Sequence, residues 1–159
     1  MKQIGSALQT LHKKNIIHRD IKVENILVDG QGNDLTYYLG DLGSAIKLRS
    51  ADQKADFGIG TFGFMAPEML AYKSYSFGVD IWSLGCVLHV LITDHMVHFD
   101  RDENKARKKM LYEPLDLSSY PELSREVRDL LKRMLKKNPA ERISIDEVLA
   151  HPWMQSDHP

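Results

Sequence analysis

The segment from Val79 to Ile92 constrains the fold more than any other stretch of the chain. Read as a helix, it is apolar nearly all round, interrupted only by Asp80, Ser83, Gly85 and His89. Such a helix has to be covered on every side. A bilayer cannot provide that cover, because Ile81 to Ile92 is twelve residues and a spanning helix needs about 20. The rest of the chain must therefore wrap it. With 159 residues, the chain has the length of one domain, and domains run to about 100–200 residues. Hydrophobic residues at 43% and charged residues at 27% exclude a disordered chain. Lys+Arg at 21 against Asp+Glu at 22 leaves a net charge of −1. That balance gives no support for nucleic-acid or membrane partners driven by bulk charge.

The remaining pattern predicts a mainly helical domain with one small β-hairpin. Ile4, Leu8 and Leu11 have helical spacing, and Lys13-Lys14-Asn15 closes that helix. Ile26-Leu27-Val28 and Leu35 to Leu39 flank the turn-rich Asp29 to Asp34, as in a hairpin. Gly43 to Thr61 is irregular and dotted with glycine, and reads as a long surface loop. Helical character resumes after Pro67. Asp100 to Tyr112 is charged and reads as an exposed helix. A helix from Ser124 puts Val127, Leu130, Leu131, Met134 and Leu135 on one face. Ser144 and Glu147 form a capping box for a last helix ending near His151-Pro152. Cys86 is the only cysteine, so no intramolecular disulfide forms. That fits a reducing compartment. The first residues carry no cleavage pattern, so the expected location is intracellular, in the cytoplasm.

Three motifs carry chemistry. His18-Arg19-Asp20-Ile21-Lys22-Val23-Glu24-Asn25 matches H-R-D-L-x-x-x-N, with isoleucine for leucine. Asp41-Leu42-Gly43 follows sixteen residues after Asn25 as a variant of D-F-G, and Ala66-Pro67-Glu68 starts 25 residues after Asp41. Any one of these could occur by chance; three in this order and spacing are specific. On these residues the chain resembles the eukaryotic serine/threonine protein kinase domain over residues 1–154, with 155–159 as a tail. The region around Phe99-Asp100 and Trp153 is most similar to the calcium/calmodulin-dependent group.

The resemblance implies a protein-kinase-like fold, using ATP and Mg²⁺ and acting on a protein substrate. Asp20 would accept the proton of the substrate hydroxyl, and Lys22 would place positive charge on the transferring group. Asn25 and Asp41 would supply oxygen ligands to magnesium, and Leu27 would touch the adenine. Glu24 belongs with these cofactor-side candidates and could also attract a basic substrate residue. His18 would be structural, packing with Leu42 in the core. Asp80 would hold the backbone of the catalytic loop. Val87 and Leu91 would support the nucleotide side from below, and Glu68 would form a buried pair with Arg142. Cys86 reads as an inert core thiol, and the histidines show no metal-ligand spacing.

Asp41 to Glu68 corresponds to the activation segment. Gly60-Thr61 resembles the family's substrate-facing Gly-Thr, whose hydroxyl bonds the catalytic Asp and Lys. Phe62, Phe64 and Met65 would form an apolar rim for the residue after the target hydroxyl. Phe57 stands where many kinases carry an activating phosphothreonine, and Arg19 is the residue that binds that phosphate. Asp56, or less directly Asp52, is the expected acidic substitute, and Ser44 and Ser50 are candidate phosphorylation sites.

The residues also depart from the family pattern. Leu42 replaces the common phenylalanine, and the gap from Asn25 to Asp41 is a few residues longer than the family's. These 159 residues contain no glycine-rich loop and no V-A-I-K lysine with its glutamate partner. The expected fold is therefore a mainly α carboxy-terminal lobe, with the amino-terminal β lobe absent. Two functions follow from that. One is a serine/threonine kinase domain represented in part and inactive alone. The other is a non-catalytic scaffold or binding lobe, whose uncovered upper face requires a partner.

Overall fold

The computed structural model describes residues 1–156. Helix α1 (Lys2–Lys13) precedes strand β1 (Ile16–Ile17), the hairpin β2 (Ile26–Asp29) and β3 (Thr36–Leu39), and strand β4 (Ile46–Lys47). Helices α2 (Pro67–Leu70), α3 (Gly78–Thr93), α4 (Glu103–Tyr112), α5 (Arg125–Met134), α6 (Ile145–Ala150) and α7 (Pro152–Gln155) follow. Of the tail assigned to 155–159, residues 157–159 lie outside the described residues. Among the described residues no helix is long and apolar enough to cross a membrane.

Helix α3 is the axis of the fold. Every residue from Val79 to His89 is buried, including Asp80 and Ser83. The expectation of burial along its whole length fails at the end, where Leu91 is 57% exposed and stands outside the core that Val87 joins. Helix α5 packs the predicted apolar stripe, Val127, Leu130, Leu131 and Met134, into the same core. The two helices meet at Gly85, where a Cβ would stand 3.0 Å from both Met134 Cβ and Leu135 Cδ2. Glycine there is a condition of close approach rather than of backbone freedom. Ile4 and Leu8 of α1 close the core from another side.

The helix ends are capped as the side chains allow. Ser124 Oγ accepts from Val127 N, and Ser144 and Glu147 form the full capping box. The charged helix starts at Glu103 rather than Asp100, because Asp102 accepts from Asn104 N and Lys105 N. The chain does not stop being helical at Ala150. His151 accepts from Trp153 N and opens α7, while its Nε2 lies 3.0 Å from Asp129 Oδ2. Cys86 is buried, and burial pushes its thiol up to about 12, which leaves it chemically inert.

The segment read as a loose surface loop is pinned at several points. β4 pairs antiparallel with β1, with Ile16 opposite Lys47 and Ile17 opposite Ile46. Ala55 and Tyr75 form an isolated bridge, and Leu48 and Ala55 are buried. The missed signal is that these contacts bridge residues far apart in sequence, where no local period can register them.

Arg142 ties together three distant parts of the chain. Its Nη1 and Nη2 donate to Glu68 Oε1 and Oε2 at 2.6 and 3.0 Å. It also donates to Gly78 O at 2.7 Å and Lys136 O at 3.0 Å. The Arg142 side chain is 0% exposed and the Glu68 side chain 5%. Trp82 lies beneath the guanidinium, 5.4 Å from ring centroid to Cζ. With both charges desolvated, removing one strands the other. Arg142→Ala should lower unfolding stability by about 3–5 kcal/mol, measured by urea denaturation. An unchanged midpoint would contradict burial of the pair.

Candidate active site

The site is built on a turn that its own sequence would not hold. Asn15 reverses the chain after α1 in the left-handed region, and β1 then delivers His18. Arg19 also sits left-handed, at φ 72°, which non-glycine residues hold only when neighbours impose it. The imposing group is Asp80. Its Oδ2 accepts from His18 N and its Oδ1 from Arg19 N, both at 2.9 Å. His12 Nε2 donates to Oδ2, also at 2.9 Å. Three donors satisfy a carboxylate that is 0% exposed.

His18 is likewise buried and fully used. Its Nδ1 accepts from Asp20 N at 3.3 Å, and its Nε2 lies 2.9 Å from Gly40 O. A carbonyl only accepts, so the proton resides on Nε2. The expected packing of His18 with Leu42 is corrected here: Leu42 is 56% exposed. Asp41 is left-handed and opens a 3₁₀ turn, Leu42–Ser44, which sends Leu42 outward.

This turn presents Asp20 to Thr61 and Lys22. Thr61 donates to Asp20 Oδ1 twice, from N at 2.9 Å and from Oγ1 at 2.8 Å. Lys22 Nζ donates to Thr61 Oγ1 at 3.0 Å and stands 3.3 Å from Asp20 Oδ2. Burial opposes ionisation of Asp20. Hydrogen bonds from Thr61 and Lys22, together with the lysine charge, outweigh it and hold the carboxyl below its ordinary range. Asp20 is thus an ionised acceptor beside a fixed cation. Gly60 makes the approach feasible. Its φ is 143°, and a Cβ there would lie 2.6 Å from Arg19 O.

Asn25 and Asp41 are brought together by the hairpin. Ile26 pairs with Leu39, and Gly40 N donates to Asn25 O at 2.8 Å, so Asp41 follows directly. Asn25 is buried, and its Nδ2 donates to Asp20 O at 2.8 Å. That bond turns the amide so that its Oδ1 is left to accept. Asp41 is exposed and uses Oδ1 on Gly43 N at 3.1 Å, which leaves Oδ2 open. One amide oxygen and one carboxylate, next to Asp20, suit a hard divalent cation. Among the described residues no group of three or more His, Cys, Asp or Glu gathers for a metal. Glu24 and Leu27 are both exposed, on the 3₁₀ turn before β2 and on β2 itself.

Two expectations for the segment after Asp41 are overturned. Phe64 is 6% exposed and its carbonyl accepts from Ser83 Oγ at 2.7 Å, so it belongs to the core and not to a substrate rim. Of the expected rim, Phe62 and Met65 remain part-exposed. Arg19 makes no ion pair with Asp56 or Asp52 among the described residues. Its Nε donates to Ser44 O at 2.5 Å and its Nη1 to Tyr75 Oη at 3.3 Å. Asp56 is exposed, and Phe57 beside it is left-handed.

Two participants were not singled out in the sequence. His12 belongs to no motif. Its position four residues after Leu8, on the stripe of Ile4 and Leu8, is the signal that could have placed it inward. Tyr75 had no local signal, since its partners Arg19 and Phe57 are remote in sequence.

Comparison with known proteins adds an independent finding. A family model described as "Protein kinase domain" matches residues 1–154. Serine/threonine-protein kinase PLK4 of Drosophila grimshawi is 35% identical, over 97% of this chain and 20% of its own length. The calcium/calmodulin-dependent protein kinase type II subunit delta of Oryctolagus cuniculus is 34% identical, over 97% of this chain and 29% of its own length. A putative serine/threonine-protein kinase of Saccharomyces cerevisiae, YPL150W, is 37% identical, over 96% of this chain and 16% of its own length. The chain thus spans less than a third of each of these relatives.

The account of Asp20 makes a direct prediction. Thr61→Val removes the Oγ1 donor, so the Asp20 carboxyl should titrate at higher pH in a ¹³C NMR titration. Because the carboxyl is depressed in the fold, its contribution to stability is present above the unfolded value. That contribution is lost as pH falls through the folded one, and Thr61→Val should shrink it. An unmoved titration would contradict the assigned cause.

Proposed function

This chain belongs to the protein kinase family, and from that premise we propose that it is the carboxy-terminal lobe of a serine/threonine kinase, carrying Asp20, Lys22, Asn25 and Asp41 as its catalytic and metal-binding residues. The observation that carries the reading is the Asp20–Thr61–Lys22 triangle. Protein kinases transfer phosphoryl groups to protein hydroxyls, and such transfer depends on positioning and charge stabilisation. Asp20 is held ionised and offers an acceptor for the substrate hydroxyl proton. Lys22 provides positive charge beside the same point. Lysine at that position is similar to serine/threonine rather than tyrosine kinases. Asn25 and Asp41 are the residues that would hold magnesium. Bound ATP with magnesium supplies the phosphoryl group and offsets its charge. Leu27 is exposed on β2 and available to an adenine ring. The protein substrate would lie along Gly60, Thr61, Phe62 and Met65. The proposed location is intracellular.

The hairpin supports the assignment of the lobe. β2 and β3 form a two-stranded sheet exposed on both sides, with Leu27 at 56%, Val28 at 58% and Tyr38 at 51%. Gln3 of α1 accepts from Tyr37 N, and Ile26 and Leu39 pack on the core, yet the side chains of Leu27, Val28 and Tyr38 stay uncovered, so the exposed part of the hairpin calls for a cover. An amino-terminal β lobe carrying a glycine-rich loop is the proposed one. The same exposed face favours the second reading, a non-catalytic lobe bound by a partner.

Phosphate transfer from radiolabelled ATP separates the two. Residues 1–159 alone should give negligible transfer to a serine-containing protein. The same residues joined to a glycine-rich loop and its lysine should transfer phosphate, and Asp20→Asn should cut the rate by about 100-fold or more. Transfer by the joined protein that is indifferent to Asp20→Asn would overturn the catalytic assignment. So would no transfer at all.

A further inference from the structure

We propose that the hydroxyl of Tyr75 is a positioning group for this site: by joining the Arg19 guanidinium to the Phe57 carbonyl it seats Thr61 on Asp20, with no phosphate on the segment. The link to turnover rests on the kinase reading above; the link to Thr61 does not.

Tyr75 is 3% exposed and fixed at its backbone. Ala55 N donates to Tyr75 O at 2.8 Å, and Tyr75 N donates to Ala55 O at 2.9 Å. Its ring therefore has little freedom, and its hydroxyl is delivered to one place. There it does two things at once. It donates to Phe57 O at 2.8 Å and accepts from Arg19 Nη1 at 3.3 Å. A phenol can donate and accept simultaneously; a carboxylate or phosphate could only accept, and would repel the Phe57 carbonyl.

Both residues it joins are strained. Arg19 has φ 72° and Phe57 φ 67°, a conformation in which a bulky residue is a true outlier. The Phe57 side chain cannot be what holds it there, because it is 85% exposed. Its carbonyl bond to Tyr75 is the contact that can. The consequence runs forward along the chain. A Cβ on Gly58 would lie 3.0 Å from Met69 O, and one on Gly60 2.6 Å from Arg19 O. The strand of chain between Phe57 and Thr61 is thus laid flat on Arg19 and α2. It ends with Thr61 N and Oγ1 both on Asp20 Oδ1. Moving Phe57 moves the start of that strip. Arg19, clipped to Ser44 O at 2.5 Å as well, joins the start of the segment to its middle. Its partners are neutral groups, so the arrangement needs no acidic substitute and no modification.

Amide hydrogen exchange in the full chain tests this, and its readout does not require activity. Tyr75→Phe keeps the ring and removes only the hydroxyl. The Thr61 amide should exchange at least tenfold faster, while Leu130 and Leu131 in α5 keep their protection. Phosphatase treatment of the wild type should leave Thr61 protection unchanged. If the joined, active protein is assayed, kcat should fall tenfold or more with KM for ATP unchanged. Thr61 protection within twofold of wild type in Tyr75→Phe would overturn the proposal, as would its loss on phosphatase treatment. If Tyr75→Phe proves globally unstable, Arg19→Gln breaks the link from its other end. Arg19→Gln should loosen Thr61 to a similar degree, and the double variant should be no worse than the worse single one. Fully additive effects would overturn the proposal. Absence of transfer by the wild type would count against the kinase reading alone, since the exchange experiment stands without it.

Discussion

A buried carboxylate with three donors sets the rest of this structure. Asp80 lies in the first turn of the most enclosed helix and is 0% exposed. An ionised group in such a place is tolerable only if it is hydrogen-bonded. The chain meets that demand with the N–H groups of His18 and Arg19 and with the His12 ring. The dependence runs both ways. Asp80 needs those donors, and the backbone of residues 18–20 needs Asp80 to hold a left-handed arginine. The position of Asp20 is thereby referenced to the core and not to the surface.

The candidate site is tied to that reference point by short links. Asn25 reaches back to the Asp20 carbonyl, Gly40 to the Asn25 carbonyl, and His18 to Gly40, so hairpin and loop share one hydrogen-bonded frame. On the other side Thr61 brings in the segment that begins after Asp41. That segment is anchored at β4, at the Ala55–Tyr75 bridge and at the Tyr75 hydroxyl. The Glu68–Arg142 pair then ties α2 to the end of the domain. Loop residues therefore present the polar groups, each loop being pinned by hydrogen bonds to the core or to its neighbours.

Much of the candidate site's layout was legible in the sequence, because its residues fall at fixed spacings within motifs. Hydrogen bonds join Asp20, Lys22, Asn25 and Thr61, Asp80 holds the backbone just before Asp20, and Asp41 follows the Gly40 that bonds the Asn25 carbonyl. The helices were also legible where one face is apolar, as in α5, or where a cap is explicit, as at Ser144. What escaped were contacts between remote residues. Asp56 looked like a partner for Arg19 because it is acidic and near in sequence, yet it lies in solvent beside a left-handed Phe57. A phenol from the loop before α3 takes that place instead. Phe64 is buried and Leu42 exposed, each the reverse of what its motif suggests. In both cases a short 3₁₀ turn sets the direction, and such turns leave no periodic trace.

The central claim is that Asp80 holds the loop carrying Asp20. Amide exchange at His18 and Arg19 in Asp80→Asn measures it most directly. An asparagine keeps the shape but replaces one acceptor oxygen with a donor. The account predicts at least tenfold faster exchange at one or both of those amides, with α5 amides unchanged. Protection of His18 and Arg19 equal to wild type would contradict it.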